Sequence, residues 1–156
     1  MERQDQAGFS LIELMIVVTI IGIIASIAIP NLMASRRAAN EASAQQSLRT
    51  ISTCEATYLH TEGNGNYTDL PGLGAKTLTD SLLSTGSKSG YTFVINAVSG
   101  PSAQYWGYAI PVTTSGMGQT GTREFCIDQT GVLTAKAAAG IAPQTASCSA
   151  FTAVGN

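Results

Sequence analysis

Phe9 to Ile29 is a run of 21 residues that carries one charge, that of Glu13, and is otherwise apolar, small or hydroxyl-bearing. At about 1.5 Å of rise per residue a helix of that length reaches about 31 Å, the thickness of one bilayer hydrocarbon core. The core helix of a soluble protein keeps its apolar residues on one stripe, whereas this run has them on every side. A secretory signal would have a shorter apolar region with a small-residue cleavage site behind it. Here the small residue, Gly8, stands in front. Processing at that point would leave the apolar helix attached to the mature chain. The run therefore predicts a leader over 1–8 and a membrane-spanning helix over 9–30.

Glu13 is the costly residue. A carboxylate at mid-bilayer costs about 2.5 to 3.5 kcal/mol on insertion scales, and less near a helix start. It can snorkel to the headgroups, or it can meet a cation. Cleavage after Gly8 would supply one, because Phe9 would gain a free amine with a reference pKa of about 8. The amine of a neighbouring copy would neutralise Glu13 and fix the axial register between the two chains.

Gly8-Phe9-Ser10-Leu11-Ile12-Glu13, the apolar run and Pro30 together resemble the class III signal of type IV prepilins and pseudopilins. The resemblance covers the first quarter of the chain closely. It implies leader cleavage between Gly8 and Phe9 by a prepilin peptidase, N-methylation of Phe9, and a register-setting role for Glu13. Gly22 and Pro30 weaken the helix by their propensity, with a gentle kink at Pro30 as the plain outcome; the resemblance implies that the stretch between them can lose helicity in an assembled filament. The implied partners are copies of the same subunit, the peptidase, the inner-membrane assembly machinery and, before assembly, the membrane itself. The implied locations are the inner membrane for the precursor and an extracellular pilus after assembly. Two features depart from the family pattern. The leader holds Glu2, Arg3 and Asp5 and is less basic than usual. Arg36 and Arg37 follow the helix and by the positive-inside rule would keep the head cytoplasmic, against the exported head the resemblance implies.

Beyond Pro30 the chain is Ala-rich and predicts a continuing amphipathic helix over 31–62. Ala44, Leu48, Ile51, Glu55 and Tyr58 fall at helical spacing on one face, with Arg36, Arg37, Glu41 and Arg49 expected on the other. Gly63-Asn64-Gly65-Asn66 stops the helix. Residues 63–156 form the expected globular head. A short helix is predicted over Thr77–Leu83, with strands over Tyr91–Val98, Tyr105–Val112, Arg123–Ile127 and Val132–Thr134, the last two joined by a turn at Asp128–Gly131. The tail from Ala135 onward gives no clear pattern. The expected fold class is α+β: a long N-terminal helix, transmembrane in its first half, packed on a small antiparallel sheet in a pilin-like roll.

Three cysteines, Cys54, Cys126 and Cys148, allow three single pairings. Cys126 with Cys148 is preferred, because it would tie the Gly/Ala/Ser-rich C-terminal segment to a strand; buried thiols are the alternative. The spacings suit neither a zinc site nor a c-type haem, so no metal or cofactor is expected. The sole histidine, His60, reads as a solvated helix-end side chain, and no G-x-S-x-G or H-E-x-x-H motif occurs. Gly86-Ser-Lys-Ser-Gly90 reads as a turn, and Asn66-Tyr67-Thr68 matches a glycosylation sequon but also an ordinary turn. Tyr105, Trp106 and Tyr108 could bind a partner, but they read more simply as strand residues of alternating exposure that pack in the core. A net charge of −2 gives no basis for specific nucleic-acid binding. The reading is a structural, non-enzymatic subunit that polymerises through its apolar helix. The alternatives are a pseudopilin of a type II secretion system and a membrane-anchored binding protein that does not polymerise.

Overall fold

The structure, a computed structural model, describes residues 9–139 and 147–154. A 51-residue helix, α1 (Leu11–Thr61), comes first. Two short helices follow, α2 (Leu70–Ala75) and α3 (Ser81–Ser84). Six strands come next: β1 (Ser87–Lys88), β2 (Tyr91–Val98), β3 (Gln104–Pro111), β4 (Arg123–Asp128), β5 (Thr134–Ala137) and β6 (Thr152–Ala153). Every strand pairs antiparallel with the next, so the sheet is a meander in chain order. The fold is α+β. By contacts the chain divides into two compact units, one ending at Ser35 and one beginning at Arg36.

In the first unit α1 is bare. Its large apolar residues from Leu11 to Leu32 are exposed, from 49% at Val17 to 76% at Leu11. Gly22 and Pro30 both lie within the helix.

In the second unit α1 buries one stripe, Glu41, Ala44, Ser47, Leu48, Ile51, Cys54 and Glu55. This corrects the placement of Glu41 on the outer face. Glu41 stands three residues before Ala44 and seven before Leu48, so helical geometry carries it inward, where it finds partners that compensate its charge. Arg36 and Arg49 are exposed, and Arg37 is half-buried. The helix stops where expected. The amides of Gly63 and Gly65 bond to the carbonyls of Tyr58 and Leu59, and Asn64 and Gly65 take positive φ of 46° and 83°.

The stripe meets one face of the sheet: Tyr91, Phe93 and Ile95 of β2, Tyr105 and Ala109 of β3, Phe125 and Ile127 of β4, and Ala135 of β5. The other face carries a second cluster, Trp106, Tyr108, Ile110 and Cys126, covered by Cys148 and Phe151. Alternation therefore holds in β2 and fails in β3, which is buried on both faces from Tyr105 to Ile110. Tyr105, Trp106 and Tyr108 pack in the core as expected, but without the expected alternation of exposure: all three are 9% exposed or less. Tyr105 faces the α1 stripe, while Trp106 and Tyr108 are covered by Cys148 and Phe151, 40 or more positions further on in the sequence.

A disulfide joins Cys126 of β4 to Cys148 and pins that cover to the sheet. The bridge closes a loop of sequence separation 22, for which chain entropy predicts a stabilisation of about 3 kcal/mol. Cys148→Ser is expected to lower the melting temperature by about 10 °C. Because Trp106 is the only tryptophan, its fluorescence should shift to the red as the cover loosens. A melt and spectrum identical to those of the oxidised protein would show that Phe151 holds the segment without the bridge.

Two local expectations are corrected. The helix expected over Thr77–Leu83 is confined to Ser81–Ser84, because Asp80 caps it by accepting from the Leu83 amide and Thr77 stands at φ 55°. A second helix forms at Leu70–Ala75 despite Pro71, Gly72 and Gly74. Pro71 sits in the first turn, where no amide is needed, and the Asp69 carboxylate accepts from the Gly72 amide. The strand expected at Val132–Thr134 begins only at Thr134. The preceding turn is held by Asp128 Oδ1, which accepts from the amide and hydroxyl of Thr130, and Val132 and Leu133 belong to the connection. Ser89 and Gly90 link β1 to β2 with φ of 49° and 72°, so the Gly86–Gly90 segment contains a tight hairpin.

Candidate functional site

The head of α1 is built by a reciprocal cap. Ser10 Oγ accepts from the Ile12 amide at 3.3 Å, and Glu13 Oε2 accepts from the Ser10 amide at 2.8 Å. This approximates a capping box, in which a Ser and a Glu three residues apart satisfy each other's end of the helix. The Ser10-x-x-Glu13 spacing is visible in the sequence, where Glu13 otherwise reads as a charge that snorkels or meets a cation. In the single chain Glu13 thus has a partner of its own, one residue beyond Phe9. Phe9 is 91% exposed. Gly8 and the leader lie outside the described residues.

The bare helix surface is also free of dangling hydroxyls at Thr19 and Ser26. Thr19 Oγ1 donates to the Met15 carbonyl at 2.8 Å, and Ser26 Oγ donates to the Ile23 carbonyl at 2.7 Å. Hydroxyls bonded back to their own helix can enter hydrocarbon, or a packed helix bundle, without an unpaired polar atom. The segment is long and apolar enough to cross a membrane.

In the second unit Glu41 ties α1 to the start of β4. Its Oε1 accepts from the Thr122 amide at 2.8 Å and the Thr122 hydroxyl at 2.7 Å. Its Oε2 accepts from Arg123 Nε at 2.8 Å and forms an ion pair with the same guanidinium. Burial works to raise the Glu41 carboxyl, but the Thr122 and Arg123 bonds outweigh it and hold the group below the usual carboxylate range. The connection before β4 is braced from the same helix: Arg37 donates to Gln119 Oε1 at 3.4 Å and Asn40 to the Thr120 carbonyl at 3.0 Å. Cys54 is a buried free thiol bonded to the Leu78 carbonyl. Asn66 of the sequon is half-buried, with its amide nitrogen donating to the Gly63 carbonyl and its Oδ1 accepting from the Gly100 amide. His60 is exposed at the end of α1.

The apolar helix surface with a lone carboxylate at its head is the part of the chain that is similar to known proteins. Residues 3–29 match the family model described as the prokaryotic N-terminal methylation motif. Similarity to individual proteins lies in the same region. The chain is 53% identical over 36 residues to the type II secretion system core protein G of Klebsiella michiganensis, covering 23% of this chain and 25% of that protein. It is 45% identical over 51 residues to the type IV major pilin protein PilA of Myxococcus xanthus, covering 33% and 23%. It is 53% identical over 38 residues to the type IV wide pilus major component of Thermus thermophilus, covering 24% and 29%. The matched stretch thus spans about a quarter of the length of these relatives. No solved structure matches the chain.

Proposed function

We propose that the chain is a structural, non-enzymatic subunit of a type IV pilus. In this reading the precursor sits in the inner membrane, loses residues 1–8 between Gly8 and Phe9, and is N-methylated on Phe9 by a prepilin peptidase. The assembly machinery then draws it into an extracellular homopolymer. The observation that supports this most is the bare apolar surface of α1 from Leu11 to Leu32 with Glu13 at its head. Such a surface requires either lipid or other copies of itself. Packing copies head to tail along a helical array gives an open fibre, with the 36–156 units outside. In the fibre the Gly22–Pro30 stretch is the place where α1 gives up helicity, since glycine and an interior proline cost about 1 and 3 kcal/mol in a helix.

A second reading is a subunit of the shorter fibre of a type II secretion system, favoured by the resemblance to the Klebsiella protein. The disulfide-pinned segment at Cys148 inclines the choice towards an exposed pilus, where a covalent tie resists an oxidising and mechanically harsh setting.

Electron microscopy of material sheared from cells, with peptide identification, tests the proposal. Long fibres whose N-terminal peptide begins at methylated Phe9 are expected. Purification as a monomer under every condition would overturn it. Gly8→Val is expected to block processing completely, leaving a product heavier by the whole leader and no fibres. A variant product with the mass of the mature chain would move the cleavage site elsewhere.

A further inference from the structure

Glu55 lies on the buried stripe of α1 with no solvent exposure. Its Oε2 accepts from the Thr68 amide at 3.1 Å, and its Oε1 is buried with no hydrogen-bond partner. A buried carboxylate normally gathers several donors or a cation. The residues over it form a short strap. The strap starts at the Gly63–Gly65 bend, where two successive residues have positive φ, and ends at Asp69, which caps α2. Besides the Thr68 bond, it is held by Asn66 Oδ1 on the Gly100 amide at 2.9 Å and by the Tyr67 ring, 4.8 Å from that of Tyr105. The ionisable groups around Glu55 are Asp69 and Tyr67 on the strap, Cys54 on α1 and Tyr105 on β3, on which Asp128 of β4 also acts. Asp69, which acts on Glu55 through its charge, has the same sign.

We propose that Glu55 is a proton-operated latch: as the neutral acid it stays inside and the strap 63–69 closes over it, and as the carboxylate it drives the strap open to reach water. Burial pushes the Glu55 carboxyl up to about 7, against the Thr68 amide and helped by Asp69. The closed form therefore binds the proton more tightly than the open form, whose carboxyl returns towards its ordinary 4.5. Closure is strongest below that ordinary value and weakens as pH rises through about 7. Between pH 5 and pH 8 the opening equilibrium should rise by about two orders of magnitude. This inference is independent of whether the chain polymerises.

The test uses the full chain in detergent micelles, with amide hydrogen exchange across 63–69 corrected for the intrinsic pH dependence of exchange. Opening at Thr68 is expected to increase about 70-fold from pH 5 to pH 8, and to be flat in Glu55→Gln, which is isosteric and does not titrate. The Glu55 side-chain carboxyl carbon, followed by NMR in the unmutated chain, should titrate near neutrality. A midpoint near that of a free glutamate, opening independent of pH, or a pH dependence that survives in Glu55→Gln would overturn the proposal.

Discussion

Glu13→Ala is expected to abolish fibre assembly while the precursor still inserts into the membrane. In the proposed polymer the Phe9 amine of one subunit meets the Glu13 carboxylate of another inside an apolar bundle. Removing one partner of a buried ion pair leaves the other charge uncompensated, at about 3 to 5 kcal/mol. At about 1.4 kcal/mol per factor of ten, each contact weakens by about two to four orders of magnitude, and a polymer repeats that loss at every subunit. Insertion moves the other way, because alanine is cheaper than glutamate in hydrocarbon. The variant should therefore resist extraction from membranes by alkaline carbonate and yield no sheared fibres. The cap at the helix head makes a second variant decisive. Glu13→Gln keeps an acceptor for the Ser10 amide and loses the charge. If Glu13 sets register through its charge, Glu13→Gln fails like Glu13→Ala. Normal fibres from Glu13→Gln would mean that the residue serves the polymer as a helix cap and nothing more.

The parts of this fold that were legible in the sequence share a cause: the information lies close together along the chain. Twenty-one nearly uncharged residues behind a Gly-Phe junction fix the first unit. Gly63 to Asn66 announces the end of α1, and the alternation of Tyr91, Phe93 and Ile95 announces β2. The misses lie where distant residues decide. Nothing in Gln104–Pro111 reveals that Cys148 and Phe151 return to cover its outer face, so its double burial could not be read locally. Thr134–Ala137 becomes a strand because it pairs with Arg123–Cys126 on one side and Thr152–Ala153 on the other, not because Ala-Lys-Ala favours one. Glu41 is a different kind of miss. Its spacing from Ala44 and Leu48 places it on the buried stripe, but its charge argued for solvent, and only Thr122 and Arg123, some 80 positions away, reverse that preference. At the candidate site Glu13 was legible as a charge that needs a partner. Its bond to the Ser10 amide could have been found from the three-residue spacing alone.

Glu41→Ala should destabilise the second unit about as much as loss of the disulfide. It strips an acceptor from the Thr122 amide, the Thr122 hydroxyl and the Arg123 guanidinium at once, and so unties α1 from the entry to β4. Arg123 keeps 46% side-chain exposure and can still be hydrated, so the loss belongs at the lower end of the range for a broken pair, about 3 kcal/mol. That is about 10 °C in melting temperature for a unit of this size. The pH dependence gives an independent check. Glu41 is held below its ordinary value, so the unfolded chain binds its proton more tightly. Its contribution is fully present above about 4.5 and is lost as pH falls through the folded value. Glu55 has the opposite sign, losing stability as pH rises from about 4.5 to about 7. The two limbs enclose a stability maximum just below about pH 4.5, set by buried carboxylates that pull in opposite directions on one stripe of α1. Glu41→Gln should flatten the acid limb and leave the neutral limb in place, while Glu55→Gln does the reverse. If instead the Glu41→Ala protein melts within a degree of the unmutated protein across pH 4 to 8, the Glu41–Arg123 pair contributes no net stability and the α1–β4 junction is held by packing alone.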